Sequence, residues 1–124
     1  MGGRGAMLGK RASERIPEYK TIEIIAGIKV LKAIKKGKDG SLPDISNTPN
    51  TSYISRNKSG EIKQYREYDY SRHPILDIDF DHFHNGIKPH IYHYGNRETD
   101  VRALTVKEKK KYRKILEAAG VRIK

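Results

Sequence analysis

The chain contains no cysteine, so disulfides and thiolate metal ligands are excluded and the redox compartment is left open. No apolar run approaches the roughly 20 residues of a membrane-spanning helix. The N-terminus lacks the apolar centre of a signal peptide. The expectation is a cytoplasmic protein with no membrane partner. No glycine-rich loop joins a strand to a helix, which argues against a nucleoside-triphosphate site. No serine sits in a nucleophile-elbow motif and there is no HEXXH, which removes the commonest hydrolase signatures. There are no internal repeats. Apolar residues are scarce at 35%, against 33% charged. That balance fits a thin two-layer fold with a large wet surface. Disorder is the poorer reading, because the tyrosines and β-branched residues fall in patterned runs.

What the chain has in excess is positive charge. Its 26 lysines and arginines outnumber 15 acidic side chains, for a net +11 over 124 residues. Such an excess concentrates polyanions around the protein and speeds encounter with them. Nucleic acid is the natural partner, ahead of an anionic membrane surface. The length suits one domain. Residues 1–20 read as a flexible basic leader, with four glycines before Lys10 and Pro17 as a breaker. Residues 21–124 read as a single α+β domain.

Within that domain, Thr21 to Lys36 is ambiguous between helix and strand. Its β-branched residues and Gly27 favour a strand over Ile28 to Ile34. Gly37 to Asn50 reads as a loop free to wander as a flap. Thr51 to Arg56 is a short strand, and Asn57 to Gly60 is turn chemistry. Glu61 to Asp69 alternates with a tyrosine on each side, so both faces are expected to be partly covered. After the turn Ser71 to Pro74, the stretch Ile75 to His82 alternates most cleanly. Leu76, Ile78 and Phe80 face one way, and Asp77, Asp79 and Asp81 the other. His84 to Pro89 reads as a loop with Asn85-Gly86 at its tip, and His90 to Tyr94 as the last strand, ended by Gly95 to Arg97.

Thr105-Val106-Lys107-Glu108 is a capping box that opens a C-terminal helix. Tyr112, Ile115, Leu116 and Ala119 form its apolar stripe, and Gly120 sits where a C′ glycine belongs. From Val106 to Lys124, eight basic residues stand against two acidic ones. The expected architecture is α+β: an antiparallel meander of about four strands, with a basic amphipathic helix packed on one face.

Residues 77–94 hold four of the five histidines and three aspartates. Packing gives no reason for that gathering, so this segment is the candidate for chemistry. His82 and His84 are two apart; His90 and His93 are three apart, a spacing that sends them to opposite faces of a regular strand. Three readings stand. Histidines could act as acid and base on RNA without a metal, since their ordinary pKa lies near neutrality. His82, His84 and His90 would then supply acid and base, supported by His93 or Lys88. Arg72, Arg97, Lys110 and Arg113 would bind the phosphates, and no cofactor would be needed. Alternatively, Asp79, Asp81, His82, His84 and His90 could hold a divalent metal such as zinc. In the third reading these side chains only hydrogen-bond one another and form a solvated charge ladder.

The start Met1-Gly2-Gly3-Arg4-Gly5 resembles that of small proteins encoded in phages and prophages of Gram-positive bacteria. Asp79-Phe80-Asp81-His82-Phe83-His84, with Gly86, Pro89-His90 and His93, is similar to their Asp-x-Asp-His-x-His…Gly…Pro-His-x-x-His signature. Leu104-Thr105 with Glu108 resembles their Leu-Thr-x-x-Glu helix start. The resemblance implies a gene near head-morphogenesis genes, with phage structural proteins as partners and a place in the virion as an alternative to the host cytoplasm. Similar histidine-bearing domains look like barnase/EndoU/RelE-like toxin ribonucleases. That implies a helix-plus-sheet fold and metal-free cleavage of RNA, with RNA ahead of DNA as the nucleic acid. It marks Asp79, Asp81, His82, His84, His90 and His93 as site positions. The expected function is a toxin-like endoribonuclease. The alternatives are a non-catalytic, nucleic-acid-binding head or packaging protein and a metal-binding module.

Overall fold

Alternating apolar and polar residues, broken by turn-forming dipeptides, build one sheet that dominates the molecule. The computed structural model describes residues 18–34, 40–83, 86–94 and 102–121, with 81–83 and 86 described by backbone alone. The strands are β1 (Tyr19–Ile25), β2 (Ile28–Ala33), β3 (Ser52–Arg56), β4 (Ile62–Tyr68), β5 (Pro74–Phe83), β6 (Gly86–His93) and β7 (Arg102–Ala103). Each pairs with its neighbours in chain order. All pairs are antiparallel except β2 with β3.

This corrects the expected antiparallel meander of about four strands. The sheet has seven strands and is mixed, because the chain crosses over between β2 and β3 instead of turning back. The extra strand at the start, β1, forms a hairpin with β2 through Ala26 and Gly27, whose φ values are 52° and 80°. That positive-φ pair is what a two-residue hairpin turn requires. β6 begins at Gly86, so Ile87 to Pro89 are strand residues where a loop is predicted. Pro89 precedes the His90–Ile91 stretch that pairs with β7. Among the described residues β6 is thus an edge where the proline stands, the position a sheet tolerates.

The single long helix is also corrected. Two short helices, α1 (Val106–Lys111) and α2 (Arg113–Ala118), meet at Tyr112, whose φ and ψ are −103° and 21°. Hydrogen bonds from Tyr112 N to Glu108 O and from Leu116 N to Tyr112 O, each 3.0 Å, carry the rod across the joint. Its two ends follow the sequence reading. Thr105 and Glu108 form the reciprocal capping box. Gly120 takes φ 90°, and Val121 N closes the last turn onto Leu116 O at 2.9 Å, as a left-handed C-cap does.

The core lies between the rod and one sheet face. Val30, Ile54, Ile78, Phe80 and Ile91 meet Tyr112, Ile115 and Leu116 there. The opposite face carries a smaller cluster of Leu31, Tyr53 and Tyr68, covered by Leu42 from the crossover. Residues 40–50 are therefore not a free flap. Tyr68 donates to the Pro43 carbonyl at 2.6 Å, and Ser46 is buried against Tyr53. Among the described residues no helix is long and apolar enough to cross a membrane.

Candidate functional site

The β5–β6 hairpin carries the histidines, and its register decides what they can do together. Asp79 stands opposite His90, Leu76 opposite His93 and His82 opposite Ile87. Positions 82, 90 and 93 are thus spaced three residues apart along the ladder, about 10 Å per step. His90 shares the face of Asp79, its cross-strand partner, while His93 shares the core-side face of Leu76. The register does not gather these three positions at one point. His84 lies outside the described residues, as do the leader 1–17, the Asn85 tip, Arg97 and the residues after Val121. For Asp81 and His82 only the backbone is described. His73 is exposed in the β4–β5 turn, where its backbone N–H donates to the Asp69 carboxylate at 2.9 Å.

Asp79 belongs to a polar network that runs along that face. Gln64 donates to Asp79 at 3.0 Å and to Asp77 at 3.1 Å. Asp77 also accepts from Arg66 at both oxygens and from the Tyr94 hydroxyl at 2.5 Å. Arg66 reaches on to the carbonyls of Leu42 and Pro43. Burial alone would pull the Arg66 guanidinium down, but the Asp77 bonds and charge hold it well above its ordinary value. Burial and the bond to Asp77 push the Tyr94 phenol up. With four donors on Asp77, the network is saturated and ties the crossover to the sheet. The expected row of solvated carboxylates is instead anchored by one that is 5% exposed.

The remaining predicted residues are dispersed. Lys88 is exposed on β6, opposite Asp81. Arg72 sits in the β4–β5 turn with φ 72°. Its carbonyl accepts from Ser46 N at 2.9 Å, so its backbone is structural. Lys110 and Arg113 are exposed on the helical rod, across the sheet from Asp79. No group of three or more His, Asp or Glu suited to hold a metal occurs among the described residues. A cleft at the start of β3, lined in part by Lys29, Asn50, Ser52, Tyr65 and Glu67, holds none of the predicted residues.

The rod presents a different kind of surface. Between Arg102 and Val121, seven basic side chains stand against two acidic ones. Both acids are occupied. Glu108 takes two bonds of 2.8 Å from Arg102 and a third from Thr105 N. The Arg102 bonds lead in holding its carboxyl down at about 2. Glu117 takes Arg113 at 3.2 Å. All five lysines remain exposed. By helical spacing Lys109 falls about 200° around the axis from Lys107, apart from Lys107, Lys110, Lys111 and Lys114. Their spacing of three and four residues puts them on one stripe, about 100° of turn per residue. Tyr112, Ile115, Leu116 and Ala119 fall on the opposite side, toward the sheet. The capping box and the apolar stripe were legible in the sequence, but the pairing of each arginine with an acid was not.

No family model, no curated protein and no solved structure matches this chain.

Proposed function

We propose that this chain is a nucleic-acid-binding domain and that its contact surface is the lysine stripe on the helical rod. One observation carries the reading: both carboxylates on the rod are taken by arginines, which leaves its five lysines without an acid on the rod to pair with, four of them aligned on one side. Among the described residues only Lys111 of the five meets a ring, its Nζ 5.3 Å from the centre of the Tyr112 ring. Like charges three and four residues apart repel and weaken a helix. A stripe that carries this penalty on a solvated face is suited to a polyanion, which relieves the repulsion on binding. The net charge of +11 acts in the same direction at longer range.

The endoribonuclease reading has less support. It needs an acid and a base within reach of one phosphate, and His90 and His93 share no face. The test is to mix the protein with labelled RNA and DNA in EDTA and follow complex formation and strand integrity together. The expected result is a salt-sensitive complex with intact strands. Cleavage in EDTA, lost in His90→Ala, would overturn this assignment in favour of the nuclease.

A further inference from the structure

We infer that the lysine stripe takes the phosphate backbone of a duplex, without regard to base sequence. The inference rests on the proposed function and deepens it. Three features of the rod support it.

The first is what the stripe lacks. Base edges are read by side chains with paired or planar donors, chiefly arginine, asparagine and glutamine. The rod contains no asparagine or glutamine. Its arginine, Arg113, is held by Glu117, and Arg102 before the rod is held by Glu108. The four lysines are compact point charges, which suit phosphate oxygens and discriminate poorly among bases.

The second is the absence of a stacking platform. Binders of single strands lay bases on aromatic side chains beside a cationic groove. The rod has one aromatic residue, Tyr112, and it is 5% exposed, turned into the core against Tyr65 at 5.6 Å between ring centres. No exposed aromatic residue accompanies the stripe among the described residues.

The third is the geometry of the charges. Lys107 to Lys114 spans about 10 Å along the axis. The four positions lie within about 100° around the axis of a rod that continues through the joint at Tyr112, a short raised strip of charge suited to run along a rigid backbone. With four phosphate contacts from the stripe, affinity should track charge density. A duplex carries one charge per roughly 1.7 Å of axis and returns a salt slope of about −0.9 per contact, against about −0.7 for a single strand.

The test measures polarisation of the full chain with two short DNA duplexes of unrelated sequence, an RNA duplex and a single-stranded thymidine oligomer. Between 50 and 200 mM salt, duplex affinity is expected to fall about 150-fold and single-strand affinity about 50-fold. The two DNA duplexes should agree within about threefold. The DNA and RNA duplexes are separate arms, and the steep slope in either one supports the inference. Tighter binding to the single strand, or more than about tenfold preference between the DNA duplexes, overturns the inference but leaves the proposed function standing, provided Lys110→Gln with Lys114→Gln still weakens binding. If that double variant binds every probe as the unaltered chain does, the lysine surface itself is overturned.

Discussion

Arg66 grips both oxygens of Asp77, at 2.7 and 3.1 Å, in a place where their side chains are 12% and 7% exposed. The two come from neighbouring strands, β4 and β5, and face each other in register. Arg66→Ala leaves a buried carboxylate without its charge partner, which typically costs about 3–5 kcal/mol. The crossover also loses its ties to Leu42 and Pro43. Urea denaturation is expected to show an unfolding free energy lowered by that amount, with the midpoint falling in proportion. Arg66→Met combined with Asp77→Leu should lose much less, because no charge is then stranded. A cost below about 1 kcal/mol for Arg66→Ala would mean the pair behaves as a surface ion pair.

Ala26 gives a prediction of opposite sign. Its φ of 52° is left-handed, and a β-carbon there is strained. The residue is exposed, so substitution removes no contact. Ala26→Asn produces the Asn-Gly pair that this turn prefers and should raise stability by about 0.5–1 kcal/mol. A thermal melt reads the shift. A lower midpoint would contradict the turn geometry.

Four phenols set the alkaline limit. Burial, first of all, pushes Tyr65, Tyr68, Tyr94 and Tyr112 above the ordinary value of 10.0. Bonds to Glu67 and Asp77 raise Tyr65, Tyr112 and Tyr94 further. A group whose folded value is raised contributes stability that is complete below its unfolded value. That stability is lost as pH climbs past it, because only the unfolded chain releases the proton readily. Stability should therefore be flat below pH 10 on account of these groups and fall above it. Tyrosinate absorbance from these residues should rise together with loss of far-UV signal. Ionisation well ahead of unfolding would show the phenols to be more accessible than the fold implies.

The parts of this fold that were legible in the sequence are those set by local chemistry. Thr105 and Glu108 satisfy the first helical amides within four residues, and Gly120 supplies the left-handed cap. Leu76, Ile78 and Phe80 are buried as their alternation predicts. β1 was hidden because it is an edge strand with little burial; Ile22 and Ile24 alternate with Thr21 and Glu23 but are 47% and 64% exposed, so the alternation marks no buried face, and it runs on into apolar residues that also fit helical spacing. The parallel pairing of β2 with β3 depends on where the crossover packs, which no local pattern encodes. Asp77 looked solvated because its partners Arg66 and Tyr94 lie 11 and 17 residues away. The histidine segment looked like a site because its residues are close in sequence. A strand has a period of two, and a spacing of three turns His90 and His93 apart.

The lysine stripe should trade stability for binding. Lys110→Gln with Lys114→Gln removes like-charge pairs with Lys107 and Lys111 as well as between themselves. Each such pair weakens a helix by about 0.2–0.5 kcal/mol, so the double variant is expected to melt higher than the unaltered chain at low salt. The gain should fade as salt is added. A variant that melts lower would show these side chains to be packed and not solvated.

The most direct measurement compares the dissociation constants of three proteins for one short duplex at a single salt concentration. These are the unaltered chain, a variant with Lys107, Lys110, Lys111 and Lys114 all changed to glutamine, and a variant with His90→Ala and His93→Ala. The lysine variant should bind at least about tenfold more weakly with a flatter salt slope, and the histidine variant should match the unaltered chain. Loss of binding in the histidine variant, with the lysine variant unchanged, would contradict the account.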